Sequence, residues 1–224
     1  KILDEEQRKC MVWDIERGQS NNIEPEPWQT DTCIGHWHYD RPLYDRQGYK
    51  SVKTVIHTLI DVVSKNGNLL LSVPVRGDGT IDAEERKIVE GISDWMQVNS
   101  DAIYGTRPWG IYGEGPAIES AVPLSAQGFN EGKSKPFSSD DIRFTRKGGT
   151  LYAFLLGWPG EKESLIKSLA TTSVHLGGNK IKGLELVGYN GQISWEQTYV
   201  GLKFTMPPQP PCEHAFVLKM DVSA

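Results

Sequence analysis

The sequence predicts an α/β segment, the last βα units of a larger α/β fold, followed by an all-β module, and two rhythms predict it. Up to about residue 109, strand-like and helix-like stretches alternate, the βα rhythm of a parallel sheet. Residues 110–140 then turn rich in Gly, Pro, Ser and acidic side chains. Beyond them, β-rich runs are punctuated by Gly-Gly, Pro-Gly and Asn-Gly turns, which predicts antiparallel strands stacked as a sandwich. The boundary is placed at 109/110, giving regions 1–109 and 110–224.

Cys10–Ile15 reads as a strand with Glu16-Arg17-Gly18 at its end. Alternation puts Val12, Asp14 and Glu16 on one face and Met11, Trp13 and Ile15 on the other. Asn21, Asn22, Pro25 and Pro27 make residues 19–30 a loop, and Thr30–Ile34 reads as a short strand. Ser51–Lys65 is the clearest helix. Ser51 can cap it, and Val52, Val55, Ile56, Leu59, Ile60 and Val63 form one apolar stripe. Asn66-Gly67 closes it, and Leu69–Val73 is the next strand. Asp82 with Glu85 three residues on forms a capping box before a second helix, buried through Ile88, Val89, Ile92, Trp95 and Met96. In the second region the β-rich runs are Asp141–Arg146, Thr150–Trp158, Ser164–Ala170, Leu184–Gly188, 193–206 and 214–222.

Composition narrows the function. A net charge of -5 gives no reason to expect nucleic acid or an anionic membrane as partner. No apolar run reaches the roughly 18 residues of a membrane-spanning helix. Cys10, Cys33 and Cys212 are too widely spaced for a metal or redox motif, and their odd count leaves at least one thiol free or paired outside the chain. His36 and His38 flank one ring without a third ligand at suitable spacing, so no metal site is expected. His57 reads as a helix-packing residue, and Gly77-Asp78-Gly79 as turn chemistry. The chain opens at Lys1 within a charged stretch, with neither an initiator Met nor a signal peptide, which suggests that it begins partway through a protein.

Four motifs occur in order: Asp14-Ile-Glu-Arg-Gly18, Pro27-Trp-Gln-Thr-Asp-Thr-Cys-Ile-Gly-His-Trp-His-Tyr39, Ile56-His-Thr-Leu-Ile-Asp-Val-Val-Ser-Lys-Asn-Gly67 with Asn68–Ile81, and Ala102-Ile-Tyr-Gly-Thr-Arg-Pro-Trp109. This set resembles the α-L-fucosidases of glycoside hydrolase family 29 over the first 109 residues. The resemblance implies a retaining glycosidase that releases terminal L-fucose from glycoconjugates without a cofactor. It makes the first region the last βα units of a (β/α)8-like barrel. A whole barrel takes about 250 residues, so only two or three units fit here.

In such barrels catalytic side chains sit at strand ends. The resemblance makes Glu16 the general acid/base, with Asp14 as the alternative on the same face. Many relatives carry a carboxylate after the loop Trp; here that position is Gln29, which cannot pass a proton and is assigned to substrate binding. Trp37 matches the aromatic that lines the C6-methyl face of fucose in relatives, although His38 replaces the following Gly. The family nucleophile is an Asp several tens of residues earlier, so it is expected outside this chain. The expected partners are a fucosylated glycan and the missing N-terminal part of the same enzyme. The family implies a secreted, periplasmic or lysosomal location. The competing reading is a noncatalytic carbohydrate-binding or assembly module built on the sandwich, with Trp158 and Trp195 as its aromatic candidates.

Overall fold

The computed structural model describes residues 4–124 and 129–223. The chain opens with α1 (Glu5–Cys10), capped by Asp4 in a capping box with Gln7. It takes Cys10 out of the expected first strand, so β1 runs only from Trp13 to Glu16. Next come β2 (Trp28–Cys33), α2 (Arg41–Asp45), α3 (Val52–Ser64), β3 (Gly67–Ser72) and α4 (Ala83–Asn99). The helix caps are as the sequence suggests: Ser51 accepts from the Thr54 amide, and Asp82 and Glu85 form a reciprocal capping box. Asn66 turns the chain at φ 71°. Strands β1, β2 and β3 form a three-stranded parallel sheet in that order.

The second half begins with β4 (Arg107–Glu114) and α5 (Pro116–Glu119). Strands β5 (Ile142–Lys147), β6 (Thr150–Leu155), β7 (Glu163–Ile166), β8 (Lys180–Leu186), β9 (Ser194–Gln197), β10 (Leu202–Thr205) and β11 (Phe216–Ser223) follow. They make two antiparallel sheets, β4-β5-β6-β11-β8 and β7-β10-β9. Phe144, Leu155, Ile166, Leu202, Phe204 and Leu218 share one core across both. Trp158 meets the Phe216 ring edge-on at 4.7 Å, which makes it a core residue. Strand β4 has no counterpart among the expected strands and spans position 109/110. Pro108, Gly110 and Gly113 hide its pattern, and its register with β5 shifts between Pro108 and Gly113. It lies at the sheet edge, where a Pro costs no ladder hydrogen bond.

The apolar stripe of α3 is covered from two sides. Ile56 and Ile60 pack with Trp95 against Tyr152, Phe154 and Val217 of the five-stranded sheet. Val55 faces Ile34, Ile88, Leu69 and Leu71, and Val62 sits with Ile15 and Trp28. A polar contact crosses the same seam. The fully buried Asp61 of α3 accepts from Lys65 Nζ at 2.5 Å and from Arg143 Nε of β5 at 2.6 Å. Burial works against the Asp61 carboxylate, but the charges of Lys65 and Arg143 outweigh it and hold the carboxyl below its ordinary value.

Asp61→Asn should therefore destabilise the fold by about 3–5 kcal/mol, because two buried cations lose their counter-charge. With its native pKa depressed, Asp61 contributes stability above the ordinary carboxylate range, and that contribution is lost as pH falls through the native value. Urea midpoints measured from neutral to acid pH should fall less steeply in Asp61→Asn than in the parent. An equal slope in both would remove Asp61 as a source of acid sensitivity.

Candidate active site at the strand ends

Parallel pairing carries the C-terminal ends of β1, β2 and β3 to one edge of their sheet. The loops holding Arg17, the 34–40 segment and the 73–79 turn all leave from that edge. Register then decides which side chains share a face: Asp14 pairs with Gln29, Glu16 with Asp31, and Asp31 in turn with Leu70. One face of the sheet thus carries Asp14, Glu16, Gln29, Asp31, Asn68 and Leu70. The other carries Trp13, Ile15 and Trp28, which turn inward.

Strand β2 starts two residues before its expected position, so Gln29 belongs to the strand rather than to a loop. Its anchor is Trp28, fully buried, whose Nε1 donates to the Lys65 carbonyl at 2.9 Å. Gln29 Nε2 donates to Asp14 Oδ1 at 3.0 Å. That bond orients Asp14, two residues before Glu16 on the same face. Glu16 is solvent-exposed at the strand terminus. Trp37 lies in the loop after β2 and is 37% exposed. Gly35 sets the path of that loop, since a Cβ there would come within 2.4 Å of Leu43 and 2.8 Å of Tyr49.

Asp31 is the residue that sequence reading missed. Its Oδ1 is buried and has no hydrogen-bond partner among the described residues. Burial first, and then the negative charges of Asp14 and Glu16, raise its carboxyl above the ordinary range. The signal was present as Thr30-Asp-Thr32, but its meaning depends on where β2 begins.

A second carboxylate, Glu131, clamps the loops from the other half of the chain. Its Oε1 accepts from Thr32 Oγ1 and Lys50 Nζ, each at 2.6 Å, and its Oε2 accepts from Arg17 Nε at 3.0 Å. Asn130 Oδ1 accepts from the Gln19 amide at 2.8 Å, and its Nδ2 donates to the Gln19 carbonyl. Burial opposes the charge on Glu131, yet the bonds from Lys50 and Thr32 hold its carboxyl low. Arg17, directly after Glu16, takes φ 47°, a left-handed conformation this clamp supports.

Among the described residues, no three His, Cys, Asp or Glu side chains gather to hold a metal ion. His36 Nδ1 lies 3.1 Å from Asp40 Oδ2. His57 is buried, with Nε2 2.9 Å from the His214 carbonyl, and burial lowers its pKa to about 4. Asp78 Oδ1 accepts from the amide and hydroxyl of Thr80, as turn chemistry requires.

The chain thus joins an α/β segment with carboxylates at its strand ends to an antiparallel sheet domain. The model of the α-L-fucosidase family matches residues 2–101, and that of the α-L-fucosidase C-terminal domain matches residues 135–221. The chain belongs to the α-L-fucosidase family. Tissue alpha-L-fucosidase of Mus musculus is 28% identical over 171 residues, covering 74% of this chain and 31% of the mouse protein. The Homo sapiens tissue enzyme is 24% identical over 200 residues, 86% of this chain and 36% of that protein. This chain therefore spans about a third of the length of these relatives. Among solved structures, Thermotoga maritima α-fucosidase in complex with fucose superposes with a TM-score of 0.65 at 26% identity, covering 88% of this chain and 41% of that one.

The charge coupling at Asp31 is measurable. Carboxyl-carbon NMR should place its titration above the ordinary aspartate range, and Asp14→Asn should bring the midpoint down part of the way, because burial remains. A midpoint indifferent to Asp14 would mean that burial alone sets it.

Proposed function

We propose that this chain is the C-terminal part of a retaining α-L-fucosidase that releases terminal L-fucose from glycoconjugates. In this reading residues 1–109 are the last βα units of a (β/α)8-like catalytic barrel, and residues 110–224 form its C-terminal β-sandwich. The observation that carries it is Glu16, exposed at the end of a parallel strand and paired in register with Asp31. An Asp supplied by the preceding part of the enzyme attacks the anomeric carbon. The bond to the leaving oxygen breaks as Glu16 gives that oxygen its proton. Water then attacks the anomeric carbon, Glu16 takes the water's proton, and the sugar–Asp bond breaks. Gln29 keeps Asp14 in place and meets the substrate without moving protons. Trp37 supplies the apolar wall for the C6 methyl. The fucosylated glycan and the N-terminal part of the enzyme are the partners. The names of relatives, tissue and plasma alpha-L-fucosidase, support a secreted, periplasmic or lysosomal location.

In the enzyme carrying the residues upstream of this chain, Glu16→Ala should slow fucosides with poor leaving groups far more than activated aryl fucosides. Azide should restore part of the turnover on the activated substrate. Activity close to the parent on both substrates would exclude Glu16, and the same loss in Asp31→Asn instead would move the role one strand over.

Residues 1–224 alone should not turn over an aryl α-L-fucoside, because a retaining mechanism needs a second carboxylate across the sugar. Turnover that copurifies with the chain and vanishes in Glu16→Ala would mean that the nucleophile lies within it, Asp14 first.

A further inference from the structure

A groove of about 730 Å³ lies at the edge of the five-stranded sheet, between β8, the C-terminal end of α4 and the turn at residues 188–192. The turn is built in place. Gly188 has φ 80°, and a Cβ there would come within 2.8 Å of Val98 on α4. The Tyr189 ring folds back over Gly191, where a Cβ would meet three of its atoms at 2.6 Å. Tyr189 stays 38% exposed, and Trp195 of β9 also lines the groove. Two aromatic side chains and the amide of Gln192 thus border one cavity.

The groove's electrostatics select the ligand class. Asp101 and Glu185 face Lys182 and Lys219, so the lining charges balance and nothing recruits an ion. Asp101 is already engaged by Lys147 and by the Tyr152 hydroxyl, each at 2.7 Å, and Lys219 lies 3.9 Å from Glu185. What lacks a partner is an acceptor. Asn99 is 1% exposed and lines the groove. Its Nδ2 donates to the Trp95 carbonyl at 3.0 Å, while its Oδ1 is buried without a donor among the described residues. Such an acceptor is costly to leave unmet. That oxygen is closed to direct contact from the groove, so the two rings and the exposed Gln192 amide are the groups a ligand meets. Flat rings beside amide groups suit the apolar face and hydroxyl rim of a sugar.

We propose that this groove binds a neutral saccharide unit, as a second sugar site apart from the strand-end carboxylates. Helix α4 leaves the strand-end edge through the loop after β3 and runs about 25 Å along its 17 residues. The groove sits at its far end. The site therefore stands whether or not Glu16 is catalytic.

The test is an amide NMR titration of the 224-residue chain with 2′-fucosyllactose and with lactose, and with sulfate as a charged comparison. At least one sugar should give saturable shifts at residues 188–192, the β8 edge and the Asn99 side-chain amide. Tyr189→Ala and Gln192→Ala change exposed side chains, and circular dichroism would check that each remains folded. Each should weaken binding about tenfold or more, while Glu16→Ala binds as the parent does. No saturable response to either sugar would overturn the proposal. So would parent-like affinity in both groove variants, shifts at Trp37 with none at the groove, or a response to sulfate alone.

Discussion

Helix α3 carries the constraint on which both halves of the molecule depend. Asp61 receives Lys65 from its own helix and Arg143 from β5, and the Tyr112 ring of β4 lies 4.8 Å from Lys65 Nζ and 5.5 Å from the Arg143 guanidinium. Buried ion pairs return little net stability, since desolvation offsets the attraction. Their effect here is geometric. With Asp61 able to satisfy both cations in only one docking of helix on sheet, α3 is fixed between the parallel sheet and the sandwich. The end of α3 then passes that position on: the Lys65 carbonyl accepts from Trp28 Nε1 and from the Glu24 amide. Trp28 fixes where β2 begins, and β2's register sets which side chains stand beside Glu16.

The strand-end loops receive a second hold from beyond the α/β segment. Glu131 and Asn130 lie past residue 110 in sequence, yet they bind Arg17, Gln19, Thr32 and Lys50. Sheet membership and site support therefore divide the chain differently. Strand β4 joins the five-stranded sheet from Arg107 onward, while the 130–131 segment belongs functionally with the loops after β1 and β2. A cut anywhere near 109/110 would separate Glu16 from groups that shape its loop.

This division explains what could be read in the sequence. Helices α3 and α4 were legible because their caps and apolar periods are local, and most sandwich strands because alternation and turns are local. Strand β4 was not, since Pro108, Gly110 and Gly113 erase its period. Helix α1 was hidden in a charged stretch whose only helix signal is the Asp4–Gln7 box. The family motifs located Glu16, Gln29 and Trp37, but the Gln29–Asp14 bond follows from register alone. Asp31 lies inside the 27–39 motif without a role assigned to it there, and Glu131 belongs to no motif. The first depends on one buried Trp, and the second on a contact across 99 residues with Thr32.

The polar face itself bears on how the site is completed. Asp14, Glu16 and Asp31 bring three carboxylates to one side of a three-stranded sheet, and Gln29 supplies a bond to only one of them. Asp31 Oδ1 stays without a partner among the described residues, and Leu70, on the same face, is 55% exposed. An apolar side chain in the open beside an unmet buried acceptor is what the proposed barrel reading expects of an interior face. Barrel interiors are filled by side chains from strands across the axis, and β1 and β3 are both edges in this sheet. Strands placed against those edges would pair them, cover Leu70 and bring donors toward Asp31. In that proposed arrangement Glu16 would stay open at the rim, where a proton donor to a leaving oxygen has to stand.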